Sequence, residues 1–288
     1  MKPHTVGVYA MRSLLVLFLT AFSSVTAQQP PTTAEAFQAA GAEERRLAMI
    51  GIIEHRSDLP ASNVVAIIGV ALRDPDPVMR VGALAAVVSR AAAPRIVRGD
   101  AVLKNWARDQ PRLQGLRSDV IRALADPVER VRREAVGALV SLDFDPQTLS
   151  GRPAPETERL LTERFHADPD AGVRARIVSG FASDPTQGSA LVQQLMSDAF
   201  SDGDRRVRQA AAGGAQKLEA GLALFHLIRQ LDDGDSTARL HAALAIAKFG
   251  ARASSYGRTL ESSLEREMDP GVAEALRMAM RAVGPSVP

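Results

Sequence analysis

Apolar residues recur along this chain with the 3.6-residue period of helices, and no stretch carries the two-residue period of a strand. Between residues 42 and 284 the amphipathic segments come in pairs. The pattern predicts helices at 60–72 with 77–92, 112–124 with 127–142, and 155–166 with 169–182. It continues at 188–200 with 204–218, 220–231 with 235–249, and 255–268 with 270–283. The segment 42–56 reads as the remaining helix of an N-terminal cap. Val131, Ala135, Ala138 and Leu139 fall on one helical face, which makes Val131 and Leu139 candidate core positions.

One phrase opens the second member of each pair. It reads Asp, then Pro or Gly, three variable residues, an apolar residue and Arg. Its clearest copies run from Asp74 to Arg80, Asp126 to Arg132, Asp168 to Arg174, Asp202 to Arg208 and Asp233 to Arg239, with a degenerate last copy at Asp269-Pro270. The arginines Arg80, Arg132, Arg174, Arg208 and Arg239 follow at steps of 52, 42, 34 and 31 residues, so the array tightens toward the C-terminus. The aspartate suits a turn or a helix N-cap, where a carboxylate accepts first-turn N–H groups. Proline one residue later suits a turn or first helical position, where its missing N–H costs nothing. Helix, tight turn and helix in series make an αα-hairpin array.

The stretch Asp126 to Leu139 resembles the HEAT repeat, in particular the short bacterial form of phycobilisome-lyase-type proteins. There Asp-Pro-x-x-x-Val-Arg-x-x-Ala-x-x-Ala-Leu opens the second helix of each pair. The resemblance covers residues 42–284 and rests on Asp126, Pro127, Val131, Arg132, Asp168, Pro169, Val173, Arg174, Asp202, Val207, Arg208, Asp233 and Arg239. This sequence departs from the pattern in its long first spacing, in glycine for proline in two units, and in the missing last arginine. The resemblance implies an all-α, right-handed, armadillo-like solenoid of about six helical hairpins, with the second helices lining a concave side. It also implies a structural arginine that reaches a turn aspartate of its own or an adjacent repeat.

Residues 1–27 read as a signal peptide. Lys2 and Arg12 are basic, Leu14 to Phe22 is an apolar core of nine residues, and Val25-Thr26-Ala27 places small residues before a cleavage site. Nine residues fall well short of the roughly 20 that span a bilayer as a helix. Cleavage after Ala27 is therefore the expectation, with an uncleaved anchor as the alternative and no stable membrane span after cleavage. Residues 28–41 are expected to be a disordered leader and 285–288 a tail. The implied address is periplasmic or secreted.

Composition narrows the chemistry. The chain has no cysteine, which excludes thiolate nucleophiles, disulfides and cysteine-bound zinc. Removing Lys2 and Arg12 with the signal leaves 33 bases against the 33 acids, so overall charge does not favour nucleic acid. No phosphate loop, nucleophile elbow or His-Glu-x-x-His is present. His55, His166, His226 and His241 are scattered about one per unit; His226 and His241 sit where one hairpin would bring them near each other, with no recurring third ligand. No cofactor and no metal is implied. Arg98-Gly99-Asp100 spells an integrin-type tripeptide and is read as coincidence.

One feature is uneven. From Arg90 to Arg133 there are eleven bases and five acids, and this stretch holds the irregular insertion at about 93–111 and the only tryptophan, Trp106. Tryptophan and arginine are favoured interface anchors. Arg95, Arg98, Lys104, Trp106 and Arg108 are therefore candidate partner-binding residues. The other reading is a solvated insertion with Trp106 buried. The function expected is an exported, non-enzymatic scaffold for protein–protein interaction, with a partner that is acidic if the insertion is a patch. The alternative is a lyase-like or chromophore-handling protein.

Overall fold

The computed structural model describes residues 30–54, 59–91, 111–143, 153–182 and 189–284. Among them every regular element is helical. The chain divides into two compact units, residues 1–120 and 121–288.

In the first unit, α1 (Ala34–Ala39) and α2 (Ala42–Ile53) form one hairpin, and α3 (Ala61–Ala71) and α4 (Pro77–Ala91) form the next. Helix α2 packs on α4, and α1 packs on α3, so first helices meet first helices and second meet second. The disordered leader expected at 28–41 is corrected here, because residues 34–39 are helical. The Thr33 hydroxyl accepts the Ala36 N–H at 3.2 Å, and Phe37 is fully buried. Burying one such ring returns about 2–3 kcal/mol, enough to hold a single capped turn against the array. The first hairpin thus closes the N-terminal end, where a lone helix at 42–56 was expected.

Helix α5 (Arg117–Ala123) follows. The second unit contains α6 (Glu129–Leu142), α7 (Pro155–Ala167), α8 (Ala171–Ala182), α9 (Ala190–Ala199) and α10 (Arg205–Gly213). It ends with α11 (Ala220–Gln230), α12 (Ser236–Phe249), α13 (Gly257–Arg266) and α14 (Pro270–Val283). The second helices form one row, α6 on α8, α8 on α10, α10 on α12 and α12 on α14. Contacts that run only between neighbouring hairpins define an α-solenoid. Val131 and Leu139 are both fully buried in this row, with Ile177, Val207 and Ile246 continuing the same apolar seam.

Two glycines set helix boundaries, one of them where periodicity alone ran on too far and one at the expected end. The helix expected to run to 218 stops at Gly213, and residues Ala215–Lys217 form a tight 3-10 turn. A Cβ on Gly214 would stand 2.6 Å from the Met196 terminal methyl and 2.9 Å from the Ala182 Cβ, so only glycine fits that approach. Gly250, at φ 54°, ends α12 in a conformation that other residues rarely adopt, and 3-10 turns lead on to α13.

Candidate functional site

The repeated phrase assembles into a row of turns, and the residue types in it divide the work. The leading aspartate is not the helix cap. Its carboxylate accepts the N–H two residues on: Asp126 from Val128 at 2.9 Å, Asp168 from Asp170 at 2.9 Å, Asp202 from Asp204 at 2.8 Å and Asp233 from Asp235 at 2.9 Å. The cap is a second acidic residue. Asp170 accepts from Val173, Asp204 from Arg206 and Asp235 from Ala238. In the last copy Asp269, read as the leading aspartate, is the cap and accepts from Gly271 and Val272, while Glu267 takes the leading place and accepts the Asp269 N–H at 2.9 Å. This second aspartate is the part of the phrase that sequence reading missed, although Asp-x-Asp is visible in four of the copies.

The phrase arginine joins one turn to the next. Arg132 donates through Nη1 to the carbonyls of Asp126 and Pro127 in its own turn, at 3.0 and 3.2 Å. Its Nε and Nη2 form a two-pronged bond to the Asp168 carboxylate of the following repeat, at 2.8 and 2.9 Å. Arg174 repeats the arrangement toward Asp202, and Arg208 toward Asp233. Arg239 closes the series on Glu267, both bonds at 2.8 Å, so a glutamate supplies the carboxylate where the phrase has decayed. In the first unit Arg45 pairs with Asp74, a rung with no matching phrase in the sequence. A planar fork bonded on both edges fixes the spacing and rotation of adjacent hairpins.

Electrostatics follow from that geometry. Burial works to raise the Asp168 carboxyl, but donors from Arg132, the Asp170 N–H and Arg164 outweigh it and hold it below the ordinary carboxylate range. Asp202 and Asp233 are held low in the same way by Arg174 and Arg208. The Arg239 bonds, acting against burial, bring Glu267 down to about 2. Arg132 and Asp168 are the most enclosed pair, with side chains 9% and 0% exposed. A shallow pocket beside the last rung is lined by Arg239, Glu267, Arg266 and Met268, and its two principal charges already satisfy each other.

Beside the rungs lies a second set of contacts. The Gln209 amide lies 2.9 Å from His241 Nε2, and His241 Nδ1 lies 2.7 Å from the Thr237 carbonyl. A carbonyl only accepts, so Nδ1 carries the proton and Nε2 accepts from Gln209. His226 instead stacks on Phe200 with ring centres 5.0 Å apart, and burial together with nearby Arg229 lowers its pKa. The two histidines therefore each face the preceding repeat, His226 at the end of α9 and His241 at α10, and not each other. His166 sits 3.7 Å from Asp198. Among the described residues no group of three His, Cys, Asp or Glu is placed to hold a metal. No described helix is long and apolar enough to cross a membrane.

Arg95, Arg98, Lys104, Trp106 and Arg108 lie outside the described residues, as do residues 1–27, expected to be a signal peptide, and His55.

A scan against family models and a search of curated proteins find no match. Solved structures of repeat proteins are similar in architecture. A HEAT-like repeats protein from the archaeon Thermococcus onnurineus NA1 aligns at 14% identity and a TM-score of 0.49, over 88% of this chain and 98% of that one. A designed armadillo repeat protein in complex with the peptide (KR)4 aligns at 18% identity and a TM-score of 0.43, over 75% of this chain and 98% of that one. The contact pattern described above makes this chain an all-α solenoid of helical hairpins.

Proposed function

We propose that this protein is an exported scaffold that binds a protein partner on the exposed face of its second helices. The observation that carries the reading is the arginine–carboxylate series itself. Four consecutive rungs hold α6, α8, α10, α12 and α14 in one register, from Arg132–Asp168 to Arg239–Glu267. The residue after each rung arginine (Arg133, Ala175, Gln209, Leu240) is thereby presented at a fixed interval on a surface that need not rearrange to bind. Preorganised spacing is what a binding scaffold needs, and it asks for no catalytic group. Balanced charge in the chain after residue 27 argues against a nucleic-acid partner.

Site-specific photocrosslinking tests this. A crosslinker at Gln209 should capture a discrete protein in the envelope compartment, and one at Glu163, on the first-helix side, should not. Equal capture at both positions, or none at either, overturns the reading. Export is checked on the same material, whose N-terminal sequence should begin at Gln28; residues 14–22 retained in the mature chain would refute cleavage. A pigment copurifying with the chain would shift the reading to the chromophore-handling role that the lyase-type resemblance implies.

A further inference from the structure

Two arginines in the second unit are left out of the ladder. Arg133 follows the rung residue Arg132 on α6, and Arg176 lies two residues past the rung residue Arg174 on α8. Both are half-buried, and neither has a hydrogen bond or ion pair among the described residues. The rung arginines Arg132 and Arg174 beside them are bonded on two edges.

Their placement is reciprocal. Arg176 reaches back over Gly137 of α6, where an added Cβ would collide with the guanidinium and lie 3.2 Å from its Cζ. Arg133 reaches forward over Gly172 of α8, with Nη1 3.3 Å from where a Cβ would stand. Arg133 and Gly137 are four residues apart on α6, and so are Gly172 and Arg176 on α8, which puts each arginine one turn from the glycine that receives the other. Two bare helix surfaces thus each receive a guanidinium from the neighbouring helix, one helical turn apart along the seam. Glycine inside a helix weakens it, so the room costs stability that a larger residue would restore.

We infer that Arg133 and Arg176 form a carboxylate-binding pair for an acidic peptide segment of a protein partner, an inference that rests on the scaffold reading above. Two like charges a helical turn apart, neither bonded to a carboxylate, are unfavourable alone and favourable around an anion, and planar guanidinium forks match carboxylates edge to edge. The surroundings set the class of anion. Asp170 stands near Gly172 with its Oδ1 committed to the Val173 N–H, and Glu129 and Glu134 on α6 pair with neither arginine. These carboxylates repel a dense polyanion such as nucleic acid more than they repel one or two side-chain carboxylates.

The test is fluorescence anisotropy with a labelled oligoglutamate peptide at low salt, using the chain from Gln28 onward. A serine-for-glutamate peptide and inorganic phosphate serve as comparators. The double variant Arg133→Gln, Arg176→Gln should weaken oligoglutamate binding roughly tenfold or more while leaving helical content unchanged. Arg205→Gln, which removes an exposed arginine already paired with Asp235, should bind as the parent does. Gly137→Ala should displace the Arg176 guanidinium and weaken binding while melting at or above the parent temperature, a combination that a purely structural role for Arg176 does not produce. Parent-like binding by the double variant, no binding by the parent, or displacement by phosphate as effective as by the peptide would each overturn the pair. If the pair fails but Gln209 still crosslinks a partner, the scaffold reading stands without it; loss of crosslinking in the parent itself removes both.

Discussion

Arg132 and Arg133 are neighbours in the chain and opposites in the fold. The turn side of α6 takes Arg132 into an enclosed pair with Asp168, satisfied by two bonds to that carboxylate and two to its own turn. The other side leaves Arg133 half-buried over a glycine with no partner. One residue of helix rotates the side chain about 100°, and that rotation separates a charge that holds hairpins in register from a charge left available. A burial-and-pairing criterion thus divides the arginines of this solenoid where composition could not.

The comparison is broken most severely from the turn side. Arg132→Ala should destabilise the second unit by about 3–5 kcal/mol, because it leaves the Asp168 charge enclosed with a diminished set of donors. Chemical denaturation followed by circular dichroism measures this; a loss within the range of ordinary surface substitutions would show that the rung is not structural.

Acid should act on the same row with an intermediate effect. The Asp168, Asp202, Asp233 and Glu267 carboxyls are all held below their unfolded values, Glu267 at about 2. A depressed folded pKa contributes stability that is present above the unfolded value near 4 and is lost as pH falls through the folded one. The denaturation midpoint should therefore fall between about pH 4 and 2. Arg239→Gln should make that fall shallower, since Glu267 then titrates nearer its ordinary range. An unchanged slope in that variant would refute the link.

The smallest effect belongs to the other side. Arg133→Gln should alter stability by no more than about 0.5 kcal/mol, as expected for a surface charge without a partner. A loss approaching that of Arg132→Ala would mean that Arg133 carries structure and would remove the contrast.

Much of the architecture was legible in residue order because its causes are local. Helical periodicity, Asp-Pro before a helix and five spaced copies of one phrase depend on neighbours a few positions away, and they located the hairpins to within a few residues. Reading failed where a distant contact decided. The turn at 34–39 depends on Phe37 reaching the array, and the end of α10 depends on how near Met196 and Ala182 come to Gly214. Arg45 and Glu267 joined the ladder without carrying its phrase, because a rung needs only a guanidinium and a carboxylate at the right separation in space.

By itself, then, the sequence determined that this chain is a series of helical hairpins with an acidic turn and an arginine in each clear copy, since short-range sterics, capping and burial periodicity require nothing beyond adjacent residues. Tertiary structure alone decided which carboxylate each arginine meets, that the leading aspartate braces the turn while the second caps the helix, and that Arg133 and Arg176 cross over two glycines. Those outcomes depend on the offset between successive hairpins, set by side-chain packing across 25–36 residues of intervening chain, and no local pattern encodes that offset.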